Sequence, residues 1–182
     1  MSAILFALAA ALIVWAVVIY NLFIRDRNLI KEAWSGIDVQ LKRRHNLVPN
    51  LVTSVQGYSA HEKTLLADIT SKRSEAIKYE SVKDKAPAES DLSGMLKNLL
   101  IVAENYPDLK ASENFLNLQN QLTEIEDQLQ YARRYYNGAV RNYNIRVESF
   151  PSNIIAGIFS FKQESFFEIT LTTERATPQV KI

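Results

Sequence analysis

The sequence predicts an all-α chain: a single N-terminal transmembrane helix followed by an elongated antiparallel helical bundle of about four helices, two of them long. Three observations carry this expectation. Residues 1–24 contain no charged side chain. Beyond them, apolar residues recur in alternating steps of three and four over two long segments. Gly and Pro number only five each among 182 residues, too few for a loop-rich fold.

The first element is the uncharged run MSAILFALAAALIVWAVVIYNLFI. As a helix it extends roughly 36 Å, enough to cross a hydrocarbon core of about 30 Å. It lacks a basic leading region, is longer than the apolar run of a secretory signal, and is followed by no cleavage-like sequence, so it reads as an uncleaved anchor. Trp15, Tyr20 and Asn21 lie in its C-terminal half, with Tyr20 suited to the lipid–water interface. Arg25, Arg27 and Lys31 follow at once. The positive-inside rule then puts the bulk of the chain in the cytoplasm and the N-terminus outside, as a single-pass protein of the plasma (inner) membrane.

The second element is marked by Ile30, Trp34, Ile37, Leu41, Arg44, Val48, Leu51, Val55 and Tyr58. This is a helical stripe with coiled-coil-like spacing, interrupted only by Arg44, and it is expected to continue the membrane span. Pro49 should kink that helix or remove a hydrogen bond near Arg44 and His45. Ser59 and Glu62 have capping-box spacing, so a further helix is expected to run from there to about Tyr79. Residues 80–90 (ESVKDKAPAES) are polar and aperiodic and read as a flexible loop. A third helix is expected from about Asp91 to Tyr106, ending at Pro107. The fourth starts after Ser112, with Phe115, Leu118, Leu122, Ile125, Leu129, Ala132, Tyr136, Ala139 and Tyr143 as its seam; unbroken to Glu148 it spans roughly 55 Å. Seams this long need partners, which an antiparallel bundle supplies. The resulting division is an anchor at 1–24, a bundle at 25–150, and an aromatic-rich tail at 151–182 that packs on the bundle, a neighbour or the membrane.

Composition excludes several kinds of chemistry. With no Cys there is no disulfide framework, thiol nucleophile or thiolate metal site. His61 and Glu62 open like a zinc-peptidase helix, but Leu65 stands where the second His belongs. There is no phosphate-binding glycine loop, no nucleophile elbow and no helix–turn–helix signature. The net charge is only +1, and the Arg- and Tyr-rich stretch at 131–143 sits on a helical seam, so nucleic acid is not expected as a partner. Residues 25–73 carry nine basic and five acidic groups, residues 100–182 eight and ten; the bias allows pairing between the two long helices or with anionic lipid, although scattered surface pairs explain it as well. Arg44 is the informative charge. Buried on a seam, its guanidinium needs a carboxylate or carbonyl, for which Asp38, Glu124, Glu126 and Asp127 are candidates, and the pair would fix helix register. Replacing Arg44 by Leu is expected to keep the fold while loosening that register. No catalytic, metal or cofactor residues are expected, so the chain does not read as an enzyme; the residues singled out for structure and interaction are Trp34, Asp38, Arg44, Pro49, Tyr136, Phe150 and Pro151.

Several segments resemble the LemA family of bacterial membrane proteins. They are residues 33–44 (AWSGIDVQLKRR), 47–52 (LVPNLV), 57–62 (GYSAHE), 106–111 (YPDLKA), 132–137 (ARRYYN), Tyr143-Asn144, and 150–156 (FPSNIIA). The resemblance covers essentially the whole chain. It implies a short anchor before a helical bundle and no established enzymatic activity. A related protein of magnetosome-forming bacteria, MamQ, implies that membrane shaping is within the family's range. The expected function is a membrane-anchored scaffold that self-associates, with the lipid bilayer and further copies as partners and no cofactor. The alternative is an adaptor or regulatory subunit of a membrane peptidase or envelope-stress system, with another membrane protein as partner.

Overall fold

A computed structural model describes residues 1–58 and 62–168, and everything regular in them is helical. Six elements replace the four expected, two of them very short: α1 (Ser2–Gln56), α2 (Lys63–Lys78), α3 (Val82–Ala103), α4 (Pro107–Lys110), α5 (Glu113–Glu148) and α6 (Ser152–Ile158). The apolar run and the first seam form one unbroken helix of 55 residues, and α5 runs 36 residues without interruption. The chain divides into two compact units. One comprises Met1–Asp38 with Tyr131–Phe166, and the other is built on Val39–Gln130.

In the second unit the stripes read from the sequence meet. Val48, Leu51 and Val55 of α1 join Leu66 and Ile69 of α2, Leu92, Leu96 and Leu99 of α3, Leu109 of α4, and Phe115, Leu118, Leu122 and Ile125 of α5 in one apolar core. Fully burying a side chain of this size contributes about 1.5–3 kcal/mol, which is what holds helices of modest intrinsic propensity. Tyr58, placed on the seam by its spacing, lies past the end of α1 and is exposed. Residues 59–61, with the Ser59 side of the expected capping box, fall outside the described residues; Glu62 is the residue before α2.

Residues 80–90 are not a loop. From residue 82 on they form the first part of α3, whose N-cap is Ser81: its hydroxyl accepts from the Asp84 amide and donates to the Asp84 carboxylate at 2.6 Å. This is a capped start with an acid in the first turn. Pro87 lies early in the helix, where its missing donor costs one bond to the Lys83 carbonyl, and Ala86, Ala88, Glu89 and Ser90 are buried. The polarity of the segment hides a buried face made of small side chains and one carboxylate. The third helix therefore begins about nine residues earlier than its apolar pattern indicates and ends at Ala103, after which Pro107 opens the one-turn α4.

In the first unit, Ile30, Ala33 and Ile37 of α1 and Tyr136, Ala139, Val140 and Tyr143 of α5 are buried. The start of α1 is different. Its apolar stretch is long enough to cross a membrane, and no residue of that stretch is buried. Ile4, Leu5, Phe6, Leu8, Leu12, Ile13 and Val14 are all exposed.

Candidate functional site

Two constellations stand out, one in each unit. In the second unit Arg44 is fully buried. Its Nη1 donates to Glu126 Oε1 at 2.7 Å and to Ser93 Oγ, while Nη2 pairs with Glu89 Oε2 and reaches the Glu89 carbonyl at 3.2 Å. Ser93 Oγ lies 3.3–3.4 Å from both Glu126 carboxylate oxygens. The guanidinium thus ties α1 to α3 and α5 in one knot. His45 Nε2 sits 2.9 Å from Glu89 Oε1, near but not in line as a hydrogen bond. Burial pushes the Glu89 carboxyl up. The approach of His45 and the Arg44 charge together outweigh it and hold the carboxyl below the usual range.

The set Ser93–His45–Glu89 has the residue types of a hydrolytic triad without its geometry. The Ser93 hydroxyl faces Arg44 and Glu126, and His45 Nε2 faces a carboxylate instead of the serine. With its donors turned on carboxylates in the interior, the guanidinium joins three helices through ion pairs. Arg44 is where the sequence placed it, and Glu126 is one of its expected partners. Asp38, another candidate, is on an exposed face of α1, as are Glu124 and Asp127 on α5; Glu124 pairs instead with Arg43 at 3.6 Å. Glu89 went unseen because it lay in the segment read as a loop. Its fully buried carboxylate also changes the expectation for Arg44→Leu, since removing the cation alone would strand an anion in the interior.

Pro49 has the effect its chemistry dictates. Lacking an N–H, it leaves the carbonyl of His45, four residues earlier, without an intrahelical donor. Arg73 Nε of α2 donates to that carbonyl at 2.7 Å. The helix runs through Pro49, and the broken backbone bond becomes a fixed point between α1 and α2.

In the first unit the chain after α5 folds back on α1 and α5. The Phe150–Pro151 peptide is cis, and Phe150 is exposed. Ser152 donates to the Arg146 and Ser149 carbonyls at 2.7 and 2.8 Å. The turn after α6 places Ser160 at a φ of 55°, with Ser160 N–H bonded to the Gly157 carbonyl and Phe161 N–H to that of Ala156, the paired bonds of a left-handed helix stop. Asn144 then clasps the backbone of Glu164 twice, accepting its N–H and donating to its carbonyl, both at 2.9 Å. Tyr136 donates to the Ser165 carbonyl at 2.9 Å, and burial pushes its phenol up to about 12, the Glu164 charge adding to the effect. Trp34, half-buried, meets Tyr136 edge-on at 5.7 Å. Phe23 stacks on Phe161 at 4.6 Å, Tyr20 packs on Phe159 at 4.8 Å, and Arg27 lies over Phe161 at 5.9 Å. The buried Asp26 accepts from Arg146 Nε at 2.8 Å.

Of the residues singled out from the sequence, Trp34 and Tyr136 meet in this constellation, while Phe150 is exposed and Pro151 stands just before α6; Asp26, Asn144, Arg146 and Ser152 were not singled out. Asn144 follows a seam tyrosine, and Ser152 opens the segment after Pro151; a polar residue beside a buried aromatic was the available signal. The tail packs on its own unit as far as residue 166, and residues 169–182 lie outside the described part.

The LemA family matches residues 33–182. Magnetosome protein MamQ 2 of Paramagnetospirillum magneticum is 25% identical over 175 residues, covering 82% of this chain and 64% of the relative. Protein LemA of Metamycoplasma hominis is 31% identical over 138 residues, 75% of this chain and 63% of the relative. Magnetosome protein MamQ of Magnetospirillum gryphiswaldense is 22% identical over 174 residues, 81% and 64% respectively. The chain thus spans a little under two thirds of these relatives' length.

Proposed function

The chain belongs to the LemA family, and from that premise we propose that it is a membrane-anchored helical scaffold that self-associates at the bacterial plasma membrane. The observation that carries the reading is the first part of α1. It is uncharged and long enough to span, and from Met1 to Val14 every residue is exposed; the chain's own packing reaches it only near its end, at Tyr20 and Phe23. Water is a poor solvent for such a surface and a bilayer a good one. Arg25 and Arg27 at its end support an orientation with the bulk of the chain in the cytoplasm. Self-association is supported by the outer face of α5, where Tyr131, Tyr135 and Ile145 are exposed at helical spacing. Anchoring confines copies to a plane, so weak lateral contacts sum to a stable array. The buried knot at Arg44 ties the helices of the second unit together and the clasp at Asn144 holds the chain's return within the first, and neither has the arrangement of a catalytic site. Relatives designated magnetosome proteins support a part in organising or shaping membrane.

Carbonate washing and chemical crosslinking of native membranes test this together. The protein should resist extraction and give a ladder of self-adducts. Release by carbonate would refute the anchor, and a single adduct to a foreign membrane protein would favour the adaptor reading.

A further inference from the structure

Resting on the membrane reading above, we propose that the first unit touches the bilayer a second time: the face of α6 and its flanks formed by Phe150, Ile154, Ile158 and Phe159 inserts into the lipid headgroup–acyl boundary beside the anchor.

Four large apolar side chains here are 80%, 49%, 67% and 53% exposed, although the opposite face of α6 buries Ile155 and Ala156. Ile154 and Ile158 are one helical turn apart, so they share the outward face. The height of this face along α1 is fixed by contacts within the unit. Phe161 stacks on Phe23 and lies under Arg27, whereas Phe159 packs one turn earlier, on Tyr20. Tyr20 belongs to the uncharged run, and the first charge, Arg25, stands about 7 Å further along the helix. Phe159 therefore sits on the lipid side of the point where charge begins, and it joins the exposed side of α6 to the uncharged run of α1.

Its surroundings suit a headgroup layer. Arg25 and Arg27 on α1 and Lys162 after the turn are exposed and can meet lipid phosphates. Tyr20 and the exposed Phe159 put aromatic rings at the level expected of an interface, with the buried Phe161 packed behind them. A short amphipathic segment with bulky apolar groups on one side and basic groups nearby is the usual chemistry of interfacial insertion. The packed return of the chain, held by Asn144 on Glu164 and Tyr136 on Ser165, keeps the face at that level instead of leaving it to swing.

The chain has no cysteine, so single labels are unambiguous. Ile158→Cys and Ile154→Cys, with Leu12→Cys for the span and Glu104→Cys for the solvated surface, would be labelled with an environment-sensitive fluorophore in the full chain. The proteins would be reconstituted in vesicles of phosphatidylcholine with phosphatidylglycerol, after circular dichroism shows unchanged helix content. Labels at 158 and 154 should emit blue-shifted light that headgroup- or shallow-chain doxyl lipid quenches, Leu12 should be quenched by deep doxyl lipid, and Glu104 by neither. Unquenched, water-like emission at 158 and 154 with Leu12 in lipid overturns the second contact alone. A Leu12 label left in water overturns it together with the anchor. Blue-shifted emission that no lipid quenches, with short dipolar distances between nitroxides at the same cysteine in neighbouring copies, would assign the face to a second copy and also overturn the proposal.

Discussion

Replacing Arg44 alone should strongly destabilise the second unit, and replacing it together with its partner should not. Arg44 and Glu89 are both fully buried, and the third member, Glu126, is about 29% exposed and can take up water. Arg44→Leu removes the cation and leaves the Glu89 carboxylate in a low-dielectric interior, with His45 Nε2 2.9 Å away. Breaking a buried pair in this way costs about 3–5 kcal/mol. Arg44→Leu with Glu89→Leu removes the desolvation cost of both charges and should return to within about 2 kcal/mol of wild type. The pH response separates the variants further. In the wild type the Glu89 carboxyl is held below its ordinary value, so its stabilisation is present above the unfolded pKa and fades as pH falls through the folded one. Without Arg44 that hold weakens while burial still pushes the carboxyl up, so the single variant should lose less stability on acidification than the wild type does. Guanidinium denaturation of the full-length protein in detergent, followed by circular dichroism with hydrogen exchange on α3 amides, reads both effects. If Arg44→Leu costs less than about 1 kcal/mol at neutral pH, with the wild-type pH slope, the knot is not a buried ion pair and the argument fails.

Other predictions address the remaining fixed points. Arg73→Met should cost about 1–2 kcal/mol in the wild type but much less beside Pro49→Ala, which restores a backbone donor to the His45 carbonyl; equal costs in a double-mutant cycle would disprove that Arg73 acts for Pro49. Ser160→Gly should raise the unfolding free energy by a few tenths to about 1 kcal/mol, because glycine accepts the left-handed backbone at this position, while Ser160→Ala should not; a loss with glycine would contradict the helix-stop geometry. Tyr136 is held neutral up to about pH 12 and Tyr143 is also pushed up by burial. Their contribution should therefore persist below the ordinary phenol value and vanish as pH rises through the folded one, with phenolate absorbance showing late-titrating tyrosines that disappear on unfolding. Tyr136→Phe should cost about 1 kcal/mol through its bond to the Ser165 carbonyl and remove part of the alkaline loss.

Much of the fold could be read because long helices repeat their signal. Every residue of the first seam from Ile30 to Val55 is buried or half-buried, and the α5 seam from Phe115 to Tyr143 behaves alike. Residues 80–90 could not be read this way. There the buried face consists of Ala86, Ala88, Glu89 and Ser90, and small or charged residues leave no apolar period; only Ser81 followed by Asp84 announces the helix start. Arg44 announced itself as a charge on an apolar stripe, and Glu126 lay within an acidic stretch, but Glu89 depends on tertiary packing to become visible. Pro49 announced an orphaned carbonyl without revealing which donor would reach it. The clasp at Asn144 joins a helix to an irregular strap, a kind of contact that no periodicity encodes.

The measurement closest to the central claim is the mass of the full-length protein in lipid nanodiscs or native vesicles, by native mass spectrometry with light scattering. The scaffold account predicts discrete assemblies of several copies that persist across dilution within the membrane. One copy per disc at every loading, with no larger species in native vesicles, would contradict it.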